Sequence, residues 1–320
     1  MGEQRPMTGR TGEADVPGRT AAHAYLCLAF TSVCFGANTT FAKLVVGEVS
    51  PMMVVALRWL LVVVLLVAFN RRSLVRDWPN LKPHLGFLFA MGALGFAAFN
   101  GLFYIAAHYT TAVNMGIIQG VLPVLVLVGA WLAFRTPSRA LQWVGAAVTL
   151  AGVAVVASAG DVERLLRLRF NEGDLLVLLA ALFYAGYTVG LQRRPASTAL
   201  GLFTVLAASA LVASLPMVAA EAWLGKFQAP TLYGWVVVAL VALFPSFLAQ
   251  ILFIRGIDLI GPGRAGIFLN LVPVFAAVIA VVYLGERFHV YQGVALALVL
   301  GGIWLAERSA GKVRKHKDPS

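Results

Sequence analysis

Long apolar stretches separated by short polar gaps run through almost the whole chain. A membrane-spanning helix needs about 20 mainly apolar residues to cross about 30 Å of hydrocarbon. Ten stretches meet that requirement approximately: 24–45, 52–70, 85–107, 111–133, 139–159, 174–192, 198–220, 231–254, 264–284 and 289–306. The tightest divisions are the third-to-fourth and ninth-to-tenth connections. Residues 1–22 are polar and rich in Gly, Thr, Arg and Pro, too long and mixed for the n-region of a signal peptide, and read as a disordered cytoplasmic tail. Residues 307–320 read as a basic cytoplasmic tail.

The charges test this pattern independently, because Lys and Arg concentrate in the short loops on the cytoplasmic side. With the amino terminus inside, the inner segments collect eighteen of the 25 Lys and Arg, among them Arg71, Arg72, Arg76, Arg193, Arg194, Arg255 and the carboxy-terminal group. The outer loops hold six: Lys43, Arg164, Arg167, Arg169, Lys226 and Arg287. Arg58 lies inside the second stretch. This asymmetry predicts ten spans with both termini cytoplasmic.

Shifting the chain by 150 residues lays Leu102–Ala154 over Leu252–Trp304 with 13 identities in 53 positions. Pro123/Pro273, Gln142/Gln292, Gly116/Gly266 and Gly152/Gly302 are the informative pairs. Each copy holds five spans, an odd number, so the second enters the membrane in the opposite sense. The predicted fold is an all-α integral membrane protein of ten transmembrane helices in two inverted five-helix repeats, 23–160 and 174–306, joined by an extracytoplasmic loop, 161–173. Such an architecture belongs to secondary transporters, whose sites lie near the midplane between the halves.

Composition agrees: 60% of residues are hydrophobic and 12% charged, against about 25% charged in soluble domains. The excess of 25 Lys and Arg over 14 Asp and Glu is scattered through short gaps and forms no nucleic-acid-binding patch. Cys27 and Cys34 are seven residues apart on one helix, too far for a disulfide, and read as small apolar fillers. The five histidines make no pair at i and i+4, so no metal site is expected.

The segment "RAGIFLNLVPVFAAVIAVVYLGERFHVYQGVALALVLGGIWLA" resembles the second repeat of EamA-type members of the drug/metabolite transporter superfamily. Pro273, the Leu284-Gly285-Glu286-Arg287 turn, Gln292 and Gly302 carry the likeness. In the first repeat Phe35-Gly36-Ala37-Asn38, Lys43, Ser50-Pro51 and Arg58 resemble the family's opening helices. The resemblance covers about residues 24–306 and implies an exporter of amino acids, other metabolites or drugs. The chain departs from the pattern at Arg135-Thr136-Pro137-Ser138, where a Gly-Glu-Arg turn would fall, and at Phe35, where Trp is frequent.

Ionisable groups inside spans are functional candidates by default, and here the carboxylates fall in loops or at span ends. The buried acid commonly used for proton or sodium coupling is missing, which favours uncoupled carriage or exchange, or coupling through a group at a helix end. Neutral polar residues remain. Asn100 and Tyr104 share a helix face at i and i+4, as do Ser246 and Gln250, and Asn100 corresponds to Gln250 across the repeat. Pro123 and Pro273 each remove a backbone bond, freeing the carbonyls of Gln119 and Leu269, with Gln119 and Asn270 beside the breaks. Asn38 aligns with Tyr187 at a shift of 149.

The substrate-binding candidates are therefore Asn38, Asn100, Tyr104, Gln119, Tyr187, Gln250 and Asn270, with Pro123 and Pro273 as helix breaks. The rival reading has the amides bonding neighbouring helices. Lys43 is a candidate contact for an anionic group, or snorkels to the outer interface. Arg58 stands about 9 Å into its helix, where it either snorkels or faces the pore, and it is assigned a structural role. The loop from Asp161 to Glu172 is either a short interfacial helix or a solvated loop.

The expected function is secondary transport, by an exporter of small polar or zwitterionic metabolites such as amino acids. A drug or aromatic-compound exporter and a passive channel are the alternatives. Motifs of metal-dependent or serine hydrolases are absent, so no enzymatic role and no cofactor is expected. The partners expected are a small-molecule substrate and membrane lipids, with no nucleic acid. High Arg over Lys and Ala-rich helices suit a bacterial inner membrane.

Overall fold

A computed structural model describes residues 18–135, 139–161, 163, 167, 170–260, 265 and 268–314, and these are organised as helices without strands. The first half holds α1 (Gly18–Leu44), α2 (Pro51–Leu81), α3 (Leu85–Gly92), α4 (Phe99–Ala106), α5 (Ala112–Gln119), α6 (Leu122–Phe134) and α7 (Ala140–Ala157). The second half holds α8 (Glu172–Gly190), α9 (Ala199–Trp223), α10 (Leu232–Val241), α11 (Ala249–Ile260), α12 (Val272–Leu284) and α13 (Val290–Arg314). Among the described residues, 7 helical runs are long and apolar enough to cross a membrane, and one of them, Pro51–Ala106, takes in α2 to α4. Val272–Leu284 and Val290–Ala306 are shorter apolar helices.

The amino-terminal tail lies outside the described residues up to position 17, and α1 begins at Gly18. At the other end α13 continues to Arg314, and residues 315–320 are outside the described set. Residues 162, 164–166 and 168–169 of the 161–173 loop are also outside it.

Local chemistry sets the helix boundaries. Thr111, Asn171, Thr198 and Thr231 each accept a hydrogen bond from the backbone N–H three residues on, at the starts of α5, α8, α9 and α10. Pro51, Pro123 and Pro273 occupy first turns, where a missing N–H costs nothing. In α2, non-helical angles at Asn70 (φ −128°, ψ 17°) mark a kink where the apolar stretch gives way to Arg71 and Arg72.

Helices α6 and α12 end at repeat-equivalent left-handed residues, Arg135 (φ 52°) and Gly285 (φ 65°). A Cβ at Gly285 would meet no atom within 4 Å, so a substitution there acts through the backbone alone. Gly285→Ala is expected to cost about 1 kcal/mol, read as a lowered midpoint in thermal unfolding of the detergent-solubilised protein.

Two interruptions recur in both halves. Wide turns of the π type, Ala93–Ala98 and Ala242–Leu248, join α3 to α4 and α10 to α11. Prolines break the next stretch at 120–121 and 270–271, where Pro123 and Pro273 follow. The hydrophobic pattern runs unbroken through the first wide turn, whereas the second carries Pro245 and Ser246.

Side chains are sorted as in lipid: large apolar residues such as Phe69, Leu132, Val282 and Tyr283 face outward, while alanine and glycine fill the contacts between helices. Because lipid is as apolar as leucine, close packing and polar contacts hold such helices together. One close approach joins α7 and α13. A Cβ on Gly302 would lie 2.3 Å from Thr149 Oγ1 and 2.5 Å from the Gly145 carbonyl oxygen, and one on Gly152 would lie 2.8 Å from that of Ala295. Gly145 thus pairs with Gly302 and Gly152 with Ala295, which requires the two helices to run antiparallel.

The same holds for α2 and α9. Near the end of α2, Asp77 accepts from the N–H of Thr198 at the start of α9 (2.8 Å). Near the end of α9, Glu221 accepts from the N–H of Met52 at the start of α2 (3.2 Å). The first helices of the halves cross over: α1 packs on α11 and α12, and α8 on α4 and α6.

Candidate functional site

All the interruptions described above converge on one cavity of about 310 Å³. Its polar lining comes from Asn38 of α1, Arg58 of α2, Asn100 of α4, Gln119 at the α5–α6 break, and Ser246 and Gln250 around the second wide turn. Asn270, Pro123 and Pro273 complete the two proline-broken segments of the lining. Aromatic walls are supplied by Phe35, Trp59, Phe96, Phe99, Tyr184 and Phe203. Trp59 and Phe96 stack with ring centroids 4.8 Å apart.

The wide turns shape this lining. Asn100 Nδ2 donates to the carbonyl of Phe96, within the first wide turn (2.6 Å), and Ser246 Oγ donates five residues back to the carbonyl of Val241 (2.6 Å). Side-chain groups thereby satisfy carbonyls where the helical ladder is widened, a feature common near functional sites. At the proline break Gln119 Nε2 donates to the Met115 carbonyl (3.3 Å).

Arg58 is the side chain that sequence alone placed least well. It is buried at 6% exposure, and its guanidinium carbon stands 5.4 Å from the Trp59 ring centroid. Its Nη1 donates to Asn100 Oδ1 (2.7 Å), Tyr104 Oη (3.0 Å) and Asn38 Oδ1 (3.3 Å). Three helices thus converge on one guanidinium that also lines the cavity. All three acceptors are neutral, and Nε is buried with no partner. The candidates Asn38, Asn100 and Tyr104 are brought together around it, with Tyr104 fully covered behind the cavity wall.

The structure separates other candidates from the cavity. Tyr187 is buried outside the lining, its ring packed on Phe96 at 4.9 Å between centroids, while Tyr184, one helical turn earlier, lines the cavity. Lys43 lies at the far end of α1, where Nζ donates to the carbonyls of Ala107 (2.7 Å) and Thr110 (3.0 Å).

Lys43 belongs to a second polar cluster around the α4–α5 turn, beside a separate cavity of about 660 Å³. Asp174, buried in the first turn of α8, accepts from Thr110 Oγ1 and from Asn114 Nδ2 (3.2 Å). Asn114 Oδ1 in turn accepts from Gln292 Nε2 (2.7 Å), and Gln292 Oε1 from the His289 N–H (2.8 Å). Gln142, the repeat equivalent of Gln292, accepts likewise from the Arg139 N–H (2.9 Å), so both glutamines cap their own helices. Desolvation of its ring, then the nearby Lys43 ammonium, hold the His108 imidazole below its ordinary pKa.

Glu286 closes the cluster, accepting from the N–H groups of Ala112 (2.8 Å) and Val113 (3.0 Å) at the positive end of α5. The glutamate of the Leu-Gly-Glu-Arg turn therefore ties the second half to the first. Glu286→Gln is expected to remove about 1 kcal/mol of this charge-assisted cap. Thermal unfolding in detergent at neutral pH measures that loss.

The profile of the EamA-like transporter family matches residues 23–158 and again 171–307. An "Uncharacterized transporter YyaM" of Bacillus subtilis is 28% identical over 293 residues, covering 88% of this chain and 92% of its own. An "Uncharacterized inner membrane transporter YedA" of Escherichia coli K12 is 27% identical over 280 residues, covering 85% and 87%. A solved structure titled "Crystal structure of protein" shares the fold, with a TM-score of 0.60 at 19% identity over 89% of this chain and 97% of that one.

Proposed function

The chain belongs to the EamA-like transporter family, a multi-pass membrane family, and from that premise we propose that it is a secondary carrier working through the cavity between its two halves. The substrates are small polar or zwitterionic metabolites, amino acids among them, moved outward across a bacterial inner membrane. The observation that carries this reading is the meeting of repeat-equivalent breaks at one amide-lined cavity. Two wide turns and two proline breaks supply Asn100, Gln119, Ser246, Gln250 and Asn270 to its wall.

Ten spans in two inverted halves with both termini cytoplasmic form the frame of this carrier. The antiparallel course of the equivalent helices α2 and α9, and of α7 and α13, supports the inversion. The eighteen-to-six distribution of Lys and Arg supports the orientation. In that orientation the Lys43–Asp174–Gln292 cluster closes the outer end. The cavity reaches toward Phe203, near the inner end of α9.

Aromatic walls favour a second reading, an exporter of drug-like or aromatic compounds. Labelled-metabolite exchange in proteoliposomes separates the possibilities. Saturable uptake accelerated by unlabelled solute on the opposite side supports the carrier, and linear, non-saturating flux would make the protein a channel. Repeating the assay with and without a pH gradient reads the coupling: equal steady-state accumulation is expected for uncoupled exchange.

A further inference from the structure

The carrier reading leaves the charge of Arg58 unanswered. A guanidinium within an apolar bundle is costly, on the order of 3 kcal/mol on insertion scales at a helix centre, and such groups mark substrate and ion pathways. Among the described residues no carboxylate pairs with Arg58, and none lines the cavity. A tie between α1, α2 and α4 needs only a donor, because Asn38, Asn100 and Tyr104 offer neutral acceptors. The positive charge has no use in that tie.

The guanidinium is also held in a directed pose. Among the described residues its three bonds all fall on Nη1, while Nε has no partner and Nη2 makes no bond. Nη1 is thereby sequestered and Nε is covered, which leaves Nη2 as the unpaired nitrogen, among the described residues, on a residue that lines the cavity. Its N–H donors offer a carboxylate a charge-assisted hydrogen bond, stronger than one between neutral groups. Trp59 lies against the guanidinium and stacks on Phe96, so the wall beside Arg58 is aromatic.

We propose that Arg58 anchors the substrate by a carboxylate, and that the cavity selects small organic carboxylates with an apolar or aromatic body. A bound anion neutralises the guanidinium and pairs with Nη2, while the body of the ligand fills the space beside Trp59, Phe96, Phe99 and Tyr184. With no carboxylate on the lining to meet a ligand ammonium, a net negative ligand matches the cavity better than a cation of the same skeleton. The inference rests on the central cavity being the transport site.

Three probes of one skeleton test it by calorimetric binding to the full-length protein in detergent: 3-phenylpropionate, its neutral amide and phenethylamine. The acid is expected to bind about tenfold to a hundredfold tighter than the amide, and the amine more weakly than either. Arg58→Gln is expected to bring the acid down to the level of the amide, and Arg58→Lys to keep part of the preference, with folding followed by gel filtration. The acid–amide comparison on the wild type stands even where Arg58→Gln does not fold. Equal binding of acid and amide, an amine as tight as the acid, or an acid preference that survives Arg58→Gln overturns the anchor while leaving the cavity in place. Failure of both acid and amide to bind the wild type overturns the cavity reading itself.

Discussion

Replacing both Asn100 and Gln250 by leucine is expected to reduce exchange by at least about tenfold while the protein still inserts and purifies as a single species. The two amides occupy equivalent places in the halves, each just beyond a wide turn and each on the cavity wall. Their losses are unequal. Gln250→Leu removes a polar group from the wall, whereas Asn100→Leu also takes away the shortest bond to Arg58 and the donor that satisfies the Phe96 carbonyl. A hydrogen bond to a charged group is worth about 1.5–3 kcal/mol, so Asn100→Leu is expected to carry most of the defect. Initial exchange rates of the two single variants and the double variant check this. Wild-type rates in the double variant would remove both amides from the transport site.

The second large effect concerns the fold. Gly302→Leu is expected to destabilise the protein by several kcal/mol, on the order of the larger core overpacking costs, and to abolish a monodisperse species in mild detergent. A Cβ at this position already falls 2.3 Å from Thr149 Oγ1 and 2.5 Å from the Gly145 backbone oxygen, so the helices themselves must separate. Because α7 and α13 belong to different halves, that separation unclasps the halves from one another. Gly301→Leu is the control: a Cβ there meets nothing within 4 Å, and near-normal gel-filtration behaviour is expected. Similar profiles for the two variants would contradict the proposed interlock.

Apolar stretches and cross-repeat identities made the helical architecture and its two-fold repetition readable along the chain. The identities also had causes that the structure makes explicit. Gln142 and Gln292 cap equivalent helices, Gly152 and Gly302 lie on the α7–α13 contact, and Pro123 and Pro273 sit at equivalent breaks beside the cavity. The amides were legible because neutral polar residues are conspicuous within apolar runs.

Other features had no signature in one dimension. A π turn adds a single residue to a helical turn; in the first half the run of Ala, Leu, Gly and Phe hides the shift, while in the second Pro245 marks a break without giving its type. Arg58, placed about 9 Å into its helix, was compatible with snorkelling; only the convergence of Asn38, Asn100 and Tyr104 from other helices holds it inward. Tyr184 and Tyr187 share one side of α8, and the packing of Phe96 decides which of them meets the cavity. Asp174 and Glu221 were readable as residues near span ends, but their burial and their cross-chain partners were not.

The most direct test of a carrier with one central cavity is Gln250→Cys in a chain whose Cys27 and Cys34 are replaced by serine, treated with a membrane-impermeant thiol reagent. A carrier predicts that the reagent reaches Gln250→Cys from one face of the membrane or the other during turnover, with trans-accelerated exchange lost in proportion to labelling. Complete labelling of Gln250→Cys with exchange unchanged would contradict it.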